Sequence, residues 1–298
     1  MEVIVAQNSG FCFGVKRSIK MVEDALAAGE KVVLWGPIVH NEEVLKYLQK
    51  MGAEVIEPEE KNIKQVSGKT VVVRAHGISE NTMNELKKNA KKVIDGTCVF
   101  VKMVQEKAKE LEGKGYHVVV VGEKDHPEVL GTLGHTKKGI AIENKEEAES
   151  ISFPEAESFN AAVKKEGCDF LPKFGKVGVV AQTTQSKENF GACVGALSQN
   201  CRDVDAFNTI CSATNARQDS AKETAKKVDL MIVIGGKTSG NTKRLFDVCS
   251  ETVQSKLVQT SADLEDEWFG NVKKVGIIAG ASTPDFVVEE VVQKIKKI

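Results

Sequence analysis

Cys12, Cys98 and Cys211 each follow an apolar, strand-like run, and each is followed 28 residues later by a polar loop residue, at His40, His126 and Ser239. A fixed offset recurring three times marks a chain built by repetition. One thiol at the same place in each unit is what a pseudo-threefold site requires: three sulfur ligands converging on an axis, with a fourth direction left open. Three thiolates and one open position predict a reactive metal centre.

Apolar runs of four to eight residues rich in Val and Ile alternate with amphipathic stretches, the pattern of strand and crossover helix in a mostly parallel sheet. The fold class is therefore α/β, with three similar small domains in a pseudo-threefold, trefoil arrangement. The predicted domains are 13–97, 98–210 and 211–298. Units one and two each end on an apolar strand leading to the next cysteine, whereas unit three ends on a helix. The spare strand is EVIVAQ at the N-terminus, so residues 1–12 are expected to complete the third domain. Right-handed crossovers place every strand-to-helix loop at one edge of its sheet. The stretch around 145–175, rich in Glu and Lys, reads as a surface insertion without chemistry.

A charged fraction of 28% with a net charge of -1 offers no overall field for nucleic acid or an anionic membrane. The chain opens directly into a strand-like run, without a basic and then apolar leader, and contains no run of about 18 apolar residues; the expectation is a cytoplasmic protein. Seven cysteines in a reducing compartment are expected as thiols. Paired zinc-finger or thioredoxin spacings are absent, so the thiols that matter must converge from afar. Cys168, Cys193, Cys201 and Cys249 read as small buried hydrophobes. Cys12, Cys98 and Cys211 occupy strand-to-helix junctions, where a helix N-terminus favours the thiolate. A four-iron cluster held by three protein sulfurs leaves one iron open; zinc with three Cys and a water satisfies the same ligand set.

The loops carry the second constellation. His40, His76, His126, Thr183, Ser239, Asn241 and Ser282 sit at strand ends just before predicted helices, where backbone amides and the positive dipole end attract phosphate. A Ser or Thr at such a place is by itself an ordinary helix cap; the ring of three His, two Ser and one Asn is the unusual feature. Glu128 stands at a helix start as well. In a closed cavity beside an anion its pKa would rise, making it a proton donor at neutral pH, with Thr183 placed to orient it. His117 and His135 lack this placement and read as structural. GGKTSGNT lacks the order of a nucleotide-triphosphate loop, and no dinucleotide fingerprint follows the first strand.

The motifs GFCFGVKRSI, VHN, RAHGIS, DGTC, HPEVLGT, AQTTQS, ICSATNARQ, SGNT and AGASTPD, in this order across nearly the whole chain, resemble the 4-hydroxy-3-methylbut-2-enyl diphosphate reductase family of the non-mevalonate isoprenoid route. The resemblance implies a three-lobed fold around a central [4Fe-4S] cluster on Cys12, Cys98 and Cys211, and an allylic diphosphate substrate bound through its alcohol at the open iron. It implies a diphosphate held by His40, His76, His126, Ser239, Gly240, Asn241 and Ser282, and a catalytic group of Glu128, Thr183 and His126. Its products would be isopentenyl and dimethylallyl diphosphate, and its electron donor a ferredoxin or flavodoxin. Gly240 stands where the family commonly has Ser, leaving a backbone amide as the donor there. Val99 replaces a common Pro, and Ser212 and Asn215-Ala216 vary the segment after Cys211.

Two other readings use the same residues. A non-redox hydro-lyase would use the open iron purely as a Lewis acid and would need carboxylate-binding arginines, for which Arg74 and Arg217 lie closest to the motifs. An iron-sulfur sensor would need a docking element, and no basic stripe or recognition helix is evident.

Overall fold

The computed structural model describes residues 1–151 and 174–298. Cys168 and most of the expected insertion lie outside the described residues. The strand β1 (Glu2–Val5) opens the chain but has no partner in the sheet that follows it. That sheet comprises β2 (Val32–Trp35), β3 (Glu54–Ile56), β4 (Thr70–Val73) and β5 (Lys92–Asp95), in the order β3-β2-β4-β5. A second sheet repeats the plan with β6 (His117–Val121), β7 (Ile140–Ile142), β8 (Phe174–Ala181) and β9 (Cys201–Ala206), in the order β7-β6-β8-β9. The third has β10 (Leu230–Ile234), β11 (Ser255–Val258) and β12 (Lys274–Ala279), and its fourth position is filled by β1.

Every sheet therefore has its second strand outermost, then its first, third and fourth, and all strand pairs are parallel. The repetition inferred from the cysteine spacing is a repetition of topology. β1 runs beside β12 in a register from Glu2 opposite Lys274 to Val5 opposite Ile277, which closes the sequence of repeats on itself as the missing strand predicted.

The helices are α1 (Phe13–Ala27), α2 (Glu42–Lys50), α3 (Glu80–Asn89), α4 (Val99–Gly113), α5 (Pro127–Leu133), α6 (Lys145–Ser150), α7 (Lys187–Asn200), α8 (Ser212–Ala225), α9 (Gly240–Ser250) and α10 (Asp285–Ile295). They cover the sheets, so the inner strands are apolar without alternation: VVLW of β2 and LMIVI of β10 are wholly buried. Helix α1 presents Val15, Ile19 and Val22 to the core of the first sheet, and α10 presents Val287, Val291 and Ile295 to that of the third.

The described residues fall into two compact units. One comprises Met1–Ala75, Glu85–Cys98 and Cys211–Ile298 and carries the first and third sheets; the other comprises His76–Asn84 and Val99–Ile210 and carries the second. Residues 145–150, expected to be irregular, form helix α6, because Asn144 caps Glu147 and the Glu147 side chain returns to the Glu143 amide. Pro284 is the N-cap of the last helix. No helix among the described residues is long and apolar enough to cross a membrane.

Candidate active site

The three repeat cysteines all belong to the first unit. Cys12 is the N-cap of α1 and Cys211 that of α8; neither side chain bonds the helix it caps. Cys98 immediately precedes α4, and its amide donates to Ala75 O at 3.0 Å. All three are partly exposed. Gly14 shows how near two of them come: a Cβ at this residue would lie 2.6 Å from Cys98 Sγ and 3.9 Å from Cys12 Sγ. Only glycine leaves room for both sulfurs. Arg217, in the second turn of α8, is held below the usual guanidinium range by burial, with Cys12 and Cys211 acting in the opposite sense. Two sulfurs meeting at Gly14, with a third thiol at the start of α8, offer the donor type that suits an iron-sulfur cluster or thiolate-bound zinc.

Polar side chains hold this arrangement from behind. Arg17 Nη1 donates to Thr97 O at 3.1 Å, and the Ser18 hydroxyl reaches Gly14 O at 2.7 Å and Gly96 O at 3.2 Å. The Asp95 carboxylate accepts from the Thr97 amide at 3.0 Å. The strand end before Cys98 is thus bonded to the helix after Cys12.

The same unit holds five of the predicted anion ligands, His40, Ser239, Gly240, Asn241 and Ser282. Ser239 caps α9, accepting from the Thr242 amide at 3.4 Å, and Gly240 and Asn241 form the helix's first turn, both buried. Ser282 Oγ donates to His40 O at 3.3 Å. A Cβ at Gly236 would lie 2.5 Å from that same carbonyl, so the loop after β10 reaches the loop after β2 only because residue 236 has no side chain. A cavity of about 210 Å³ opens at this junction, walled among others by His40, Asn41, Gly236, Thr238 and Gln259. Asn241 Nδ2 is buried with no hydrogen-bond partner among the described residues, an amide donor ready for a ligand. Burial, and then the Arg74 and Lys243 charges, push His40 below the usual imidazole range, so it is neutral at pH 7 and can donate one hydrogen bond without adding charge.

The second unit holds the other predicted residues. His126 is the N-cap of α5, and its Nδ1 accepts from the Glu128 amide at 3.1 Å. An accepting Nδ1 puts the proton of the neutral ring on Nε2. The His76 ring stands edge-on to it, with centroids 5.3 Å apart and an interplanar angle of 83°. Glu128 is 2% exposed. Thr183 binds both of its oxygens: the amide donates to Oε1 at 2.6 Å and the hydroxyl to Oε2 at 2.7 Å. Burial nevertheless prevails over these bonds, which favour the charged form, and with the Glu123 charge nearby lifts the Glu128 pKa to about 7. At neutral pH this carboxyl can hold a proton or give it up.

The remaining cysteines and histidines lie elsewhere. Cys193 and Cys249 are buried in helices, and burial raises their thiols to about 11 and about 12; Cys201, the first residue of β9, is raised to about 12 for the same reason. His117 lies in β6, and His135 Nε2 meets Ile78 O at 3.1 Å. Arg217, a candidate carboxylate ligand in the hydro-lyase reading, is instead bonded to the backbone, through Nη2 to Gly10 O at 2.9 Å. Sequence reasoning did not single out Gly14, Ser18 or Arg17; the signal available for them was their position within two turns of Cys12.

The sequence matches the LytB protein family over residues 3–296. Among curated proteins it is similar to the 4-hydroxy-3-methylbut-2-enyl diphosphate reductases of Aquifex aeolicus, with 42% identity over 304 residues covering 100% of this chain and 97% of that one, and of Geobacter metallireducens, with 40% identity covering 100% and 98%. Among solved structures it resembles that of an (E)-4-hydroxy-3-methyl-but-2-enyl diphosphate reductase described as the terminal enzyme of the non-mevalonate pathway, at 42% identity, TM-score 0.67 and full coverage of both chains. It also resembles the E-1-hydroxy-2-methyl-but-2-enyl-4-diphosphate reductase of Plasmodium falciparum, at 28% identity and TM-score 0.84, covering 98% of this chain and 87% of that one. With residues 3–296 matched and curated relatives at 40% identity or more covering the whole chain, the chain belongs to the LytB family.

Proposed function

We propose that this protein is a reductase that removes the hydroxyl of (E)-4-hydroxy-3-methylbut-2-enyl diphosphate, yielding isopentenyl and dimethylallyl diphosphate. The approach of Cys12 and Cys98 to within contact of one glycine, with Cys211 at a third helix start, carries this reading, because it supplies thiols for chemistry that side chains alone lack. Cys12, Cys98 and Cys211 would hold a [4Fe-4S] cluster, which when bound supplies single electrons and a Lewis-acidic iron for the alcohol oxygen. In a division into domains 13–97, 98–210 and 211–298, the last completed by 1–12, Cys12 stands immediately before the first domain and Cys98 and Cys211 open the second and third, each at a helix start.

The reaction consumes two electrons and two protons: the C–O bond breaks, a C–H bond forms, and water leaves. Glu128 is the proton source for the departing hydroxyl. Its pKa of about 7 matches a group that must give up a proton and be reloaded at neutral pH. Thr183 fixes the carboxyl through both oxygens, so its proton is delivered in a set direction. His40, His76, His126, Ser239, Gly240, Asn241 and Ser282 would bind the diphosphate. Imidazoles, hydroxyls and amides at helix starts suit a diphosphate that must be oriented and then released, since they supply donors without paired cations that would delay release. Protonation at either end of the allylic carbons accounts for two products. The electrons come one at a time from a ferredoxin or flavodoxin in the cytoplasm.

Anaerobic turnover by cluster-reconstituted protein tests the proposal, following substrate-dependent oxidation of a reduced viologen dye together with the products. Oxidation yielding both five-carbon diphosphates is the expected result. An intact four-iron cluster with no turnover would instead favour the hydro-lyase or the sensor.

A further inference from the structure

Two hydrogen bonds in the first unit obey the repeat. Ser18 lies six residues after Cys12, and its hydroxyl reaches the carbonyl of Gly96, two residues before Cys98. Arg217 lies six residues after Cys211, and its Nη2 donates at 2.9 Å to the carbonyl of Gly10, two residues before Cys12. The same helical position thus ties one cysteine's helix to the next cysteine's loop, across 78 residues in one case and 207 in the other. The equivalent residue in the second repeat is Val104, whose side chain cannot donate.

Arg217 does more than repeat Ser18. It is 3% exposed, its Nη1 meets Ala213 O at 3.5 Å, and its Nε has no hydrogen-bond partner among the described residues. A guanidinium stays charged at every physiological pH, and burying it without an opposite charge is costly. Its bond to Gly10 O sets it two residues along the chain from Cys12, in the helix that Cys211 opens.

We propose that Arg217 is a positioning residue that locks the Cys12 loop to the Cys211 helix and sets a permanent positive charge beside two of the three cluster-holding sulfurs, governing how firmly the cluster is held and at what potential it accepts an electron. The inference rests on the iron-sulfur reading above. Positive charge near a cluster favours its reduced form, since net charge and nearby donors set cluster potentials. Ser18, a tether without charge, affects retention and leaves the potential alone.

The test compares Arg217→Gln, Arg217→Lys and Ser18→Ala with the parent protein, all anaerobically reconstituted. Iron and sulfide content, rate of cluster loss to a chelator, and midpoint potential by spectroscopically monitored redox titration are the readouts. Arg217→Gln is expected to lose its cluster several-fold faster and to show a more negative midpoint. Arg217→Lys should keep the midpoint near that of the parent while losing the cluster faster, because the charge survives and the two-pronged tether does not. Ser18→Ala should show faster loss at an unchanged midpoint. Parent-like retention and midpoint in Arg217→Gln would overturn the inference; should that variant fail to fold, parent-like cluster loss in Arg217→Lys would do so. A parent protein that binds no cluster would refute the iron-sulfur reading itself.

Discussion

Thr183 grips Glu128 by both carboxyl oxygens, with its amide on Oε1 at 2.6 Å and its hydroxyl on Oε2 at 2.7 Å. Two hydrogen bonds of this kind ordinarily hold a carboxylate in its charged form. Here burial is the larger effect, and the pKa rises to about 7. The site combines a proton near balance at neutral pH with an orientation set by a single neighbour.

Glu128→Gln should therefore lose turnover by about 10²-fold or more, the usual range for a general acid, while iron content and substrate affinity stay near those of the parent. Gln keeps the geometry, since the Thr183 amide can still donate to the side-chain oxygen and the hydroxyl can turn to accept. Single-turnover kinetics beside equilibrium binding make the check, and parent-like turnover would remove Glu128 from the mechanism.

The pH dependence follows in two ways. A donor must start protonated, so kcat/KM should fall as pH rises through about 7, and this limb should vanish in Glu128→Gln. For stability, a native pKa above the ordinary 4.5 means the folded state keeps a proton that the unfolded state releases, so this group's contribution is lost as pH rises from 4.5 to about 7. Chemical denaturation of Glu128→Gln should show a gain over the parent of up to about 3 kcal/mol at pH 8, shrinking toward pH 5. A pH-independent difference would contradict the raised pKa.

Gly14→Ala tests how closely the sulfurs meet. The new Cβ would stand 2.6 Å from Cys98 Sγ, so the Cys98 loop must shift although α1 gains from replacing Gly. Iron content should drop sharply with thermal stability of the apoprotein little changed. Full iron loading would show that the sulfurs can yield without cost.

Cysteine replacements should separate into two groups. Removing Cys12, Cys98 or Cys211 should abolish cluster loading. Replacing Cys193 or Cys249 by Ala should leave loading intact and cost about 1 kcal/mol or more of stability each, because both are completely buried. Iron analysis and thermal melts distinguish the groups.

Ser239→Ala removes both a predicted phosphate donor and the cap of α9. Substrate affinity should weaken and stability fall by about 1 kcal/mol. Ser239→Asp retains capping capacity but places a negative charge near the diphosphate; it should recover stability and bind still more weakly. Equal affinity in all three proteins would exclude Ser239 from the phosphate site.

Much of the fold was legible in the chain because its signals are local or periodic. VVLW and LMIVI declare buried parallel strands by lacking alternation, and the spacing of Cys12, Cys98 and Cys211 declares the repeat. The absent strand in the third repeat assigns EVIVAQ to it, a prediction met by the pairing of Glu2 with Lys274. Strand-to-helix junctions also marked Ser239 and Glu128 before any coordinates, since the residues at a helix start are set by its unpaired amides. What no local signal carries is the meeting of distant loops. The Thr183 bonds to Glu128 span 55 residues and the Arg217 bond to Gly10 spans 207, and the Glu128 pKa reflects water excluded by chain far from residue 128. Glycine at position 14 looks from sequence like a poor helix former; only the packed structure shows that Cys98 Sγ occupies the space a side chain would need. Periodicity and helix-start chemistry act between neighbours in the chain and can be read there. Desolvation, counter-charge and close approach depend on which segments come together, and folding alone decides them.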